Sequence, residues 1–185
     1  MPGEVLVDGL DFGGVIAVAC RGARVGVSPA AREQVRRFRA HVERASGSEE
    51  AVYGVTTGFG ALATVRIPAG ERRELQHAIL RSHAAGMGPF VEPEVVRAMM
   101  LIRAKTLAMG HSGVRPELLD ALVALLNSGV VPAVPEHGSL GASGDLAPLA
   151  HAALCLTGEG WALEGGEAVP ARDALARAGL EPVRL

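Results

Sequence analysis

Two stretches in the middle of the chain constrain the fold most. Residues 93–109 and 116–128 each open on a proline and are filled with Val, Met, Leu, Ile and Ala. Proline suits the first position of a helix, where its missing N–H has no helical partner to lose. The first stretch is apolar nearly all round and is expected to lie deep in a bundle. The second carries Leu118, Leu119, Leu122, Val123, Leu125 and Leu126 and stops before Gly129. Helices of this kind need other helices around them. The composition agrees, with 49% of residues hydrophobic and only 3% aromatic. A core of Leu, Val, Ala, Ile and Met suits packed helices better than strands rich in aromatic and β-branched side chains.

The 185 residues suffice for one domain with its own core. Residues 4–7 read as a short strand, and Asp11 as the cap of a helix over 12–20. Ser28-Pro29 starts a second helix, running to about Ser46 and burying Val35, Phe38 and Val42. Residues 53–70 lack any period and carry Gly54, Gly58, Gly60 and Gly70, so a long mobile loop is expected. Further helices are predicted over 71–85, ending at Gly86, and over 145–157, with Gly158 as the C-cap. Trp161 to Val169 reads as a hairpin turning at Gly165-Gly166, followed by a short helix over 171–178. The expected fold class is therefore mainly α, with minor β pieces at the two ends. The chain stops at Leu185 without a polar tail, which reads as an interruption.

Several function classes are disfavoured. A net charge of -2 gives no pull toward nucleic acid or an anionic membrane. No uncharged apolar run reaches the roughly 18 residues of a membrane helix, and the first residues lack the pattern of a signal peptide. Cys20 and Cys155 read as buried free thiols, and the cytoplasm is the expected location. The six histidines form neither His-Glu-x-x-His nor a Cys/His set, so no metal site is expected.

The chemistry concentrates in Gly-Ser-Leu-Gly-Ala-Ser-Gly-Asp-Leu, residues 138–146, whose one charge is Asp145. A nucleophile elbow would need Gly where Asp145 stands, and a P-loop would need Lys. What remains is the backbone of Ala142-Ser143-Gly144. Gly144 has no Cβ, so its amide nitrogen can turn back toward the Ala142 carbonyl. Ser143 carries a hydroxyl that can leave as water. Closure would yield a five-membered ring with an electrophilic methylidene carbon. The positive end of the helix that follows would favour incoming electron density there.

Three segments together, Tyr53–Gly60 (Tyr-Gly-Val-Thr-Thr-Gly-Phe-Gly), Leu80–Gly86 (Leu-Arg-Ser-His-Ala-Ala-Gly) and Gly138–His151, give the chain a specific likeness. It resembles the N-terminal part of the aromatic amino acid lyase family, its histidine-specific ammonia-lyases most of all. The resemblance implies an ammonia-lyase-type helical fold of which residues 1–185 are the prosthetic-group domain, incomplete relative to the family. It implies that Ala142, Ser143 and Gly144 become a methylidene-imidazolone, with no external cofactor. It gives Tyr53 a catalytic acid/base role and assigns substrate contacts to Gly60, Ser82 and His83. The implied reaction turns L-histidine into urocanate and ammonia, in a homotetramer or with a complementing C-terminal chain. Tyrosine or phenylalanine as substrate, an aminomutase, and a silent fragment acting as an interaction module remain as alternatives.

The residues themselves leave some of these roles open. Pyridoxal phosphate would need a Schiff-base lysine, and the single Lys105 sits inside an apolar helix without a phosphate loop nearby. By spacing alone His83 continues the stripe Leu75, Ile79, His83 and faces the interior as a buried helix histidine. His77 falls on the opposite side and reads as solvated. His111, His137 and His151 read as structural, and Asp145 as a helix cap.

Overall fold

The computed structural model describes residues 3–138 and 146–185. Strand β1 (Val5–Leu6) pairs in parallel with β2 (Val25–Gly26), and helix α1 (Phe12–Arg21) joins them. Asp11 caps α1 by accepting the Gly14 N–H at 2.7 Å. Helix α2 (Pro29–Gly47) starts as expected, with Ser28 Oγ accepting the Ala31 N–H at 3.1 Å. Val35 is fully buried, whereas Phe38 and Val42 are half-buried. After a long loop come α3 (Arg72–His83), β3 (Met87–Phe90), α4 (Pro93–Ala108) and α5 (Pro116–Ser128). Strands β4 (Val131–Pro132) and β5 (Pro135–His137) precede α6 (Leu146–Leu156). The chain closes with β6 (Trp161–Glu164), β7 (Glu167–Pro170) and α7 (Ala171–Arg177).

Helix α4 is the axis of the main core. Its Val96, Met100, Leu101, Ala104 and Leu107 are buried against Val18 of α1, Val35 of α2 and Leu119, Leu125 and Leu126 of α5. A second layer lies beside this one. Helix α3 packs on α6, and the β6–β7 hairpin and α7 close over the other side of α6 around Cys155, Ala162, Ala171 and Ala174. The hairpin turns at Gly165 and Gly166, both at positive φ (60° and 91°), which two-residue hairpin turns of this twist require.

Four expectations need correction. Helix α4 is not buried all round, because Val95, Ile102 and the following Met109 are exposed. Apolar character around a helix says that no face prefers water, not that a neighbour covers every face. The β pieces are not confined to the ends: β3 pairs with β5 and β4 with β6, in mid-chain. Those short proline-bearing strands have no alternating pattern, so only tertiary packing reveals them. Helix α3 stops at His83, two residues early, because Ala84 leaves helical geometry with ψ at 57°. Cys20 is exposed at the end of α1, while Cys155 is buried and its thiol pKa is pushed up to about 12 by desolvation.

Polar contacts fix how the helices meet. The Arg97 guanidinium on α4 donates to the Val18 carbonyl (2.9 and 3.3 Å) and to the Leu126 carbonyl (3.1 Å). Both carbonyls belong to last helical turns, where no later N–H is available. Asn127 then holds β2, accepting the Val25 N–H at 2.8 Å and donating to the Val25 carbonyl at 2.9 Å. Arg97→Met keeps the stem but strands both carbonyls. It should destabilise the protein by about 2 kcal/mol in urea unfolding. Arg97→Lys should recover less than half, because an ammonium cannot fork between two helix ends. An unchanged midpoint for Arg97→Met would remove this contact from the fold's determinants.

Candidate active site

Residues 53–70 are expected to be a long mobile glycine loop; the structure shows a loop, but one that is tied together from within. Thr56 and Thr57 are buried inside it. Thr56 Oγ1 donates to the Glu50 carbonyl and accepts the Val52 N–H, each at 2.8 Å. Thr57 Oγ1 donates to the Gly58 carbonyl at 3.1 Å and accepts the Gly54 N–H at 3.3 Å. Backbone bonds from Gly58 N–H to the Val65 carbonyl (3.0 Å) and from Ile67 N–H to the Thr56 carbonyl (2.9 Å) close the loop on itself. Glycines allow the turns, and the two threonines lock them.

This packing presents Tyr53 at the surface of the loop, 62% exposed. Its hydroxyl oxygen accepts the Gly60 N–H at 3.3 Å, and its ring meets Phe59 edge-on at 5.8 Å between centroids. Gly60 can offer its amide here because it adopts φ +53°, a left-handed conformation that favours glycine. Two of the sequence-predicted residues, Tyr53 and Gly60, are thus in direct contact.

His83 ends helix α3. It is exposed, not buried as the stripe suggested, because α3 has no fully buried residue and its apolar side lines a cavity. Its Nδ1 lies 2.9 Å from the Ile79 carbonyl and 3.0 Å from Ser82 Oγ. A carbonyl can only accept, so the proton is assigned to Nδ1 and Nε2 keeps the lone pair. Ser82 Oγ also donates to Ile79, at 3.0 Å, so Ser82 and His83 share one carbonyl.

A cavity of about 780 Å³ brings the loop and α3 together. Tyr53 and His83 line it with Leu75, Ile79, Met100, Leu122, Leu146 and Leu149, among others. Arg103 on α4 is the one arginine or lysine among the described residues that line it. Sequence reasoning missed it, because Arg103 is one of four charges on α4 and only the cavity sets it apart from Glu94, Arg97 and Lys105. Ala142, Ser143, Gly144 and Asp145 lie outside the described residues. Leu146 follows them directly in sequence, opens α6 and forms part of the cavity wall.

Polar contacts tie α3 to the loop that follows α6, and the segment after α3 to α6 itself. Arg81 donates to both Glu159 oxygens, at 2.8 and 3.0 Å, and His77 Nδ1 lies 3.6 Å from the same carboxylate. His77 is therefore partnered rather than simply solvated. The Arg81 hydrogen bond holds the Glu159 carboxyl below its usual pKa. At the end of α3, His151 Nε2 accepts the Gly86 N–H at 3.1 Å. Burial pushes the His151 pKa below its ordinary 6.5, which keeps the ring neutral and able to accept.

The model of the aromatic amino acid lyase family matches residues 10–185. The chain belongs to the aromatic amino acid lyase family. Among curated lyases, histidine ammonia-lyase from Gloeobacter violaceus is 60% identical over 171 residues, 92% of this chain and 33% of that protein. Histidine ammonia-lyase from Streptomyces griseus is 55% identical, over 92% of this chain and 34% of that protein. Among solved lyase-family folds, tyrosine aminomutase from Streptomyces globisporus superposes with a TM-score of 0.91 at 39% identity, covering 98% of this chain and 34% of that one. Histidine ammonia-lyase from Trypanosoma cruzi gives 0.87 at 34% identity, covering 98% and 35%. The chain spans about a third of the length of the curated relatives it matches.

The His151 contact can be tested by pH. The unfolded chain takes up the imidazole proton near 6.5, while the folded chain resists it to lower pH. Below 6.5 the unfolded state therefore binds more protons, and stability falls as pH falls. His151→Gln retains an acceptor but cannot titrate. Urea midpoints between about pH 8 and pH 5 should show wild type losing stability relative to His151→Gln only below 6.5. Parallel curves for the two proteins would mean that His151 is not held neutral.

Proposed function

We propose that residues 1–185 are the prosthetic-group domain of an ammonia-lyase that converts L-histidine to urocanate and ammonia. The domain acts together with the further two thirds found in its relatives, in a cytoplasmic homotetramer or with a complementing chain. The observation that carries this reading is the shared cavity: Tyr53, His83 and Leu146 come from distant parts of the sequence and line one space. The identities of 60% and 55% to histidine ammonia-lyases favour histidine over tyrosine.

Ala142, Ser143 and Gly144 are the precursors of a methylidene-imidazolone. The Gly144 nitrogen bonds to the Ala142 carbonyl carbon. That oxygen leaves as water with the amide protons of Gly144 and Ser143, and a C=N bond remains. Ser143 loses its hydroxyl and its α-proton as a second water, which leaves the exocyclic double bond. No oxidant is needed. The group supplies a strong carbon electrophile, which ordinary side chains lack.

The remaining work falls to side chains described above. Tyr53 is positioned to move the poorly acidic β-proton of the substrate at its phenol oxygen. The Gly60 N–H bonded to that oxygen fixes the direction in which it faces the cavity. His83, with its proton on Nδ1, offers Nε2 to the N–H of a substrate imidazole. Ser82 holds that tautomer. The apolar wall of Leu75, Ile79 and Leu146 excludes water and strengthens these contacts.

Two variants in the full-length protein test the reading. Tyr53→Phe should lower kcat by about 10²- to 10⁴-fold, the usual contribution of a positioned acid/base. Wild type should deaminate L-histidine in preference to L-tyrosine, and L-phenylalanine least. An apolar ring would strand His83 at a cost of about 1 to 3 kcal/mol. His83→Phe should narrow or reverse that order. If the order of the three substrates is the same in His83→Phe, the assignment of histidine loses its basis.

A further inference from the structure

Tyr53 is 62% exposed, yet the backbone that carries it is held on both sides. The direction of its side chain depends on two peptide units, one ending in the Tyr53 N–H and one starting at the Tyr53 carbonyl. The first contains the Val52 carbonyl, which accepts from the N–H groups of Val55 at 3.0 Å, Thr56 at 2.9 Å and Thr57 at 3.4 Å. The second contains the Gly54 N–H, which donates to Thr57 Oγ1 at 3.3 Å. One unit earlier, the Val52 N–H donates to Thr56 Oγ1 at 2.8 Å. Three consecutive peptide units through Tyr53 are therefore anchored, two of them by threonine hydroxyls. Both hydroxyls are buried, and each also donates to a carbonyl, Glu50 for Thr56 and Gly58 for Thr57. Valine has nearly the same shape and would fill the space as well, so packing alone does not call for the hydroxyls. Gly54 completes the fit: its φ is +70°, and a β-carbon there would lie 2.7 Å from the Phe59 ring that meets Tyr53 edge-on.

We propose that Thr56 and Thr57 are positioning residues for the Tyr53 phenol, their buried hydroxyls fixing the peptide units around it. This rests on the acid/base reading of Tyr53 above. Peptide units are rigid planes, so holding the two that adjoin Tyr53 blocks rotation about its φ and ψ and sets the Cα–Cβ direction. Only the side-chain torsions remain, and the Phe59 ring edge and the Gly60 N–H restrain those. A phenol on an unanchored loop would spread over several loop states, whereas proton transfer needs it near one position. A displacement of about 1 Å can cost about 10²-fold in rate. The ring thus stays open to the cavity while its backbone is held as firmly as part of a core.

The test is a set of variants of the full-length protein, read by hydrogen exchange and by kinetics. Thr57→Val keeps the shape and removes the hydroxyl, while Thr57→Ser keeps the hydroxyl. Amides in peptides covering residues 50–60 should exchange at least about tenfold faster in Thr57→Val and near the wild-type rate in Thr57→Ser. On the amino acid that wild type deaminates fastest, Thr57→Val should lower kcat about 10- to 100-fold and change KM less than about twofold. Thr57→Ser should recover most of that loss. In a Tyr53→Phe background the same Thr57→Val change should cost nothing further, because the hydroxyl acts through the phenol. Thr56→Val should behave alike, and it takes the place of Thr57→Val should the latter not fold. Unchanged exchange or wild-type kcat in the valine variant, or an equal loss of kcat in both backgrounds, overturns the inference and leaves the role of Tyr53 intact. Wild-type kcat in Tyr53→Phe, or no deamination by wild type, removes the acid/base reading and the inference with it.

Discussion

The Arg97 guanidinium, set between the ends of two helices, is the contact around which the main layer is arranged. The last turns of α1 and α5 both expose carbonyls with partial negative charge, and Arg97 donates to Val18 in one and Leu126 in the other. Apolar packing alone would allow α1 and α5 to slide along α4, because contact between Leu, Val and Met surfaces is weakly directional. A planar fork with fixed donor directions removes that freedom. The next residue, Asn127, extends the arrangement to β2 through its paired bonds with Val25. Partial burial lowers the pKa of Arg97, but a guanidinium starts so high that it remains charged and able to donate.

The layer that carries the candidate site is built differently. Helix α3 carries His83 but buries no residue completely, so hydrophobic burial fixes its position less firmly than that of α4. Polar contacts hold it in place: Arg81 and His77 meet Glu159 in the loop after α6, and Gly86, just past the end of α3, bonds to His151 on α6. Exposed ion pairs of the Arg81–Glu159 kind contribute little to stability. They do restrict orientation, which is what a residue at a cavity rim needs. The consequence is a division between a core that holds the fold and a thinner layer that holds the site. Substitutions in the two layers should affect stability and chemistry separately.

What the sequence made legible follows this division. Helix starts at Ser28-Pro29, Pro93 and Pro116, and the Gly165-Gly166 turn, depend on neighbouring residues alone. They were readable because capping and turn chemistry act locally. The side of α4 left exposed, the β3–β5 pairing and the exposure of Cys20 depend on what else is nearby, which no local pattern encodes. The candidate site divides in a similar way. Tyr53, Gly60, Ser82 and His83 stood out from short motifs, but the Tyr53–Gly60 bond and the Ser82–His83 pairing on one carbonyl needed coordinates. His77 was misread because a helical wheel ignores a partner such as Glu159 from a distant loop. Arg103 is one of several charges on α4, and only the cavity formed with α3 and α6 distinguishes it.

The near-absence of lysine ties the two layers together. Seventeen of the 18 basic residues are arginine. Some pair with carboxylates, as Arg36 does with Glu33 and Arg177 with Glu164. The structurally consequential ones instead spend their donors on backbone carbonyls. Arg66 donates to the Glu49 and Ser48 carbonyls at 2.6 and 3.3 Å. Arg72 donates to the Ser46 and Ile67 carbonyls at 2.7 and 3.2 Å. These two forks bind residues 46–49 to residues 66–72 and so close the base of the loop that presents Tyr53. A lysine at either position could satisfy one carbonyl but would not hold two in fixed relative direction. The same device that sets α1 and α5 around α4 therefore also sets the mouth of the tyrosine loop. The threonines within it have only to complete a shape whose ends are already fixed.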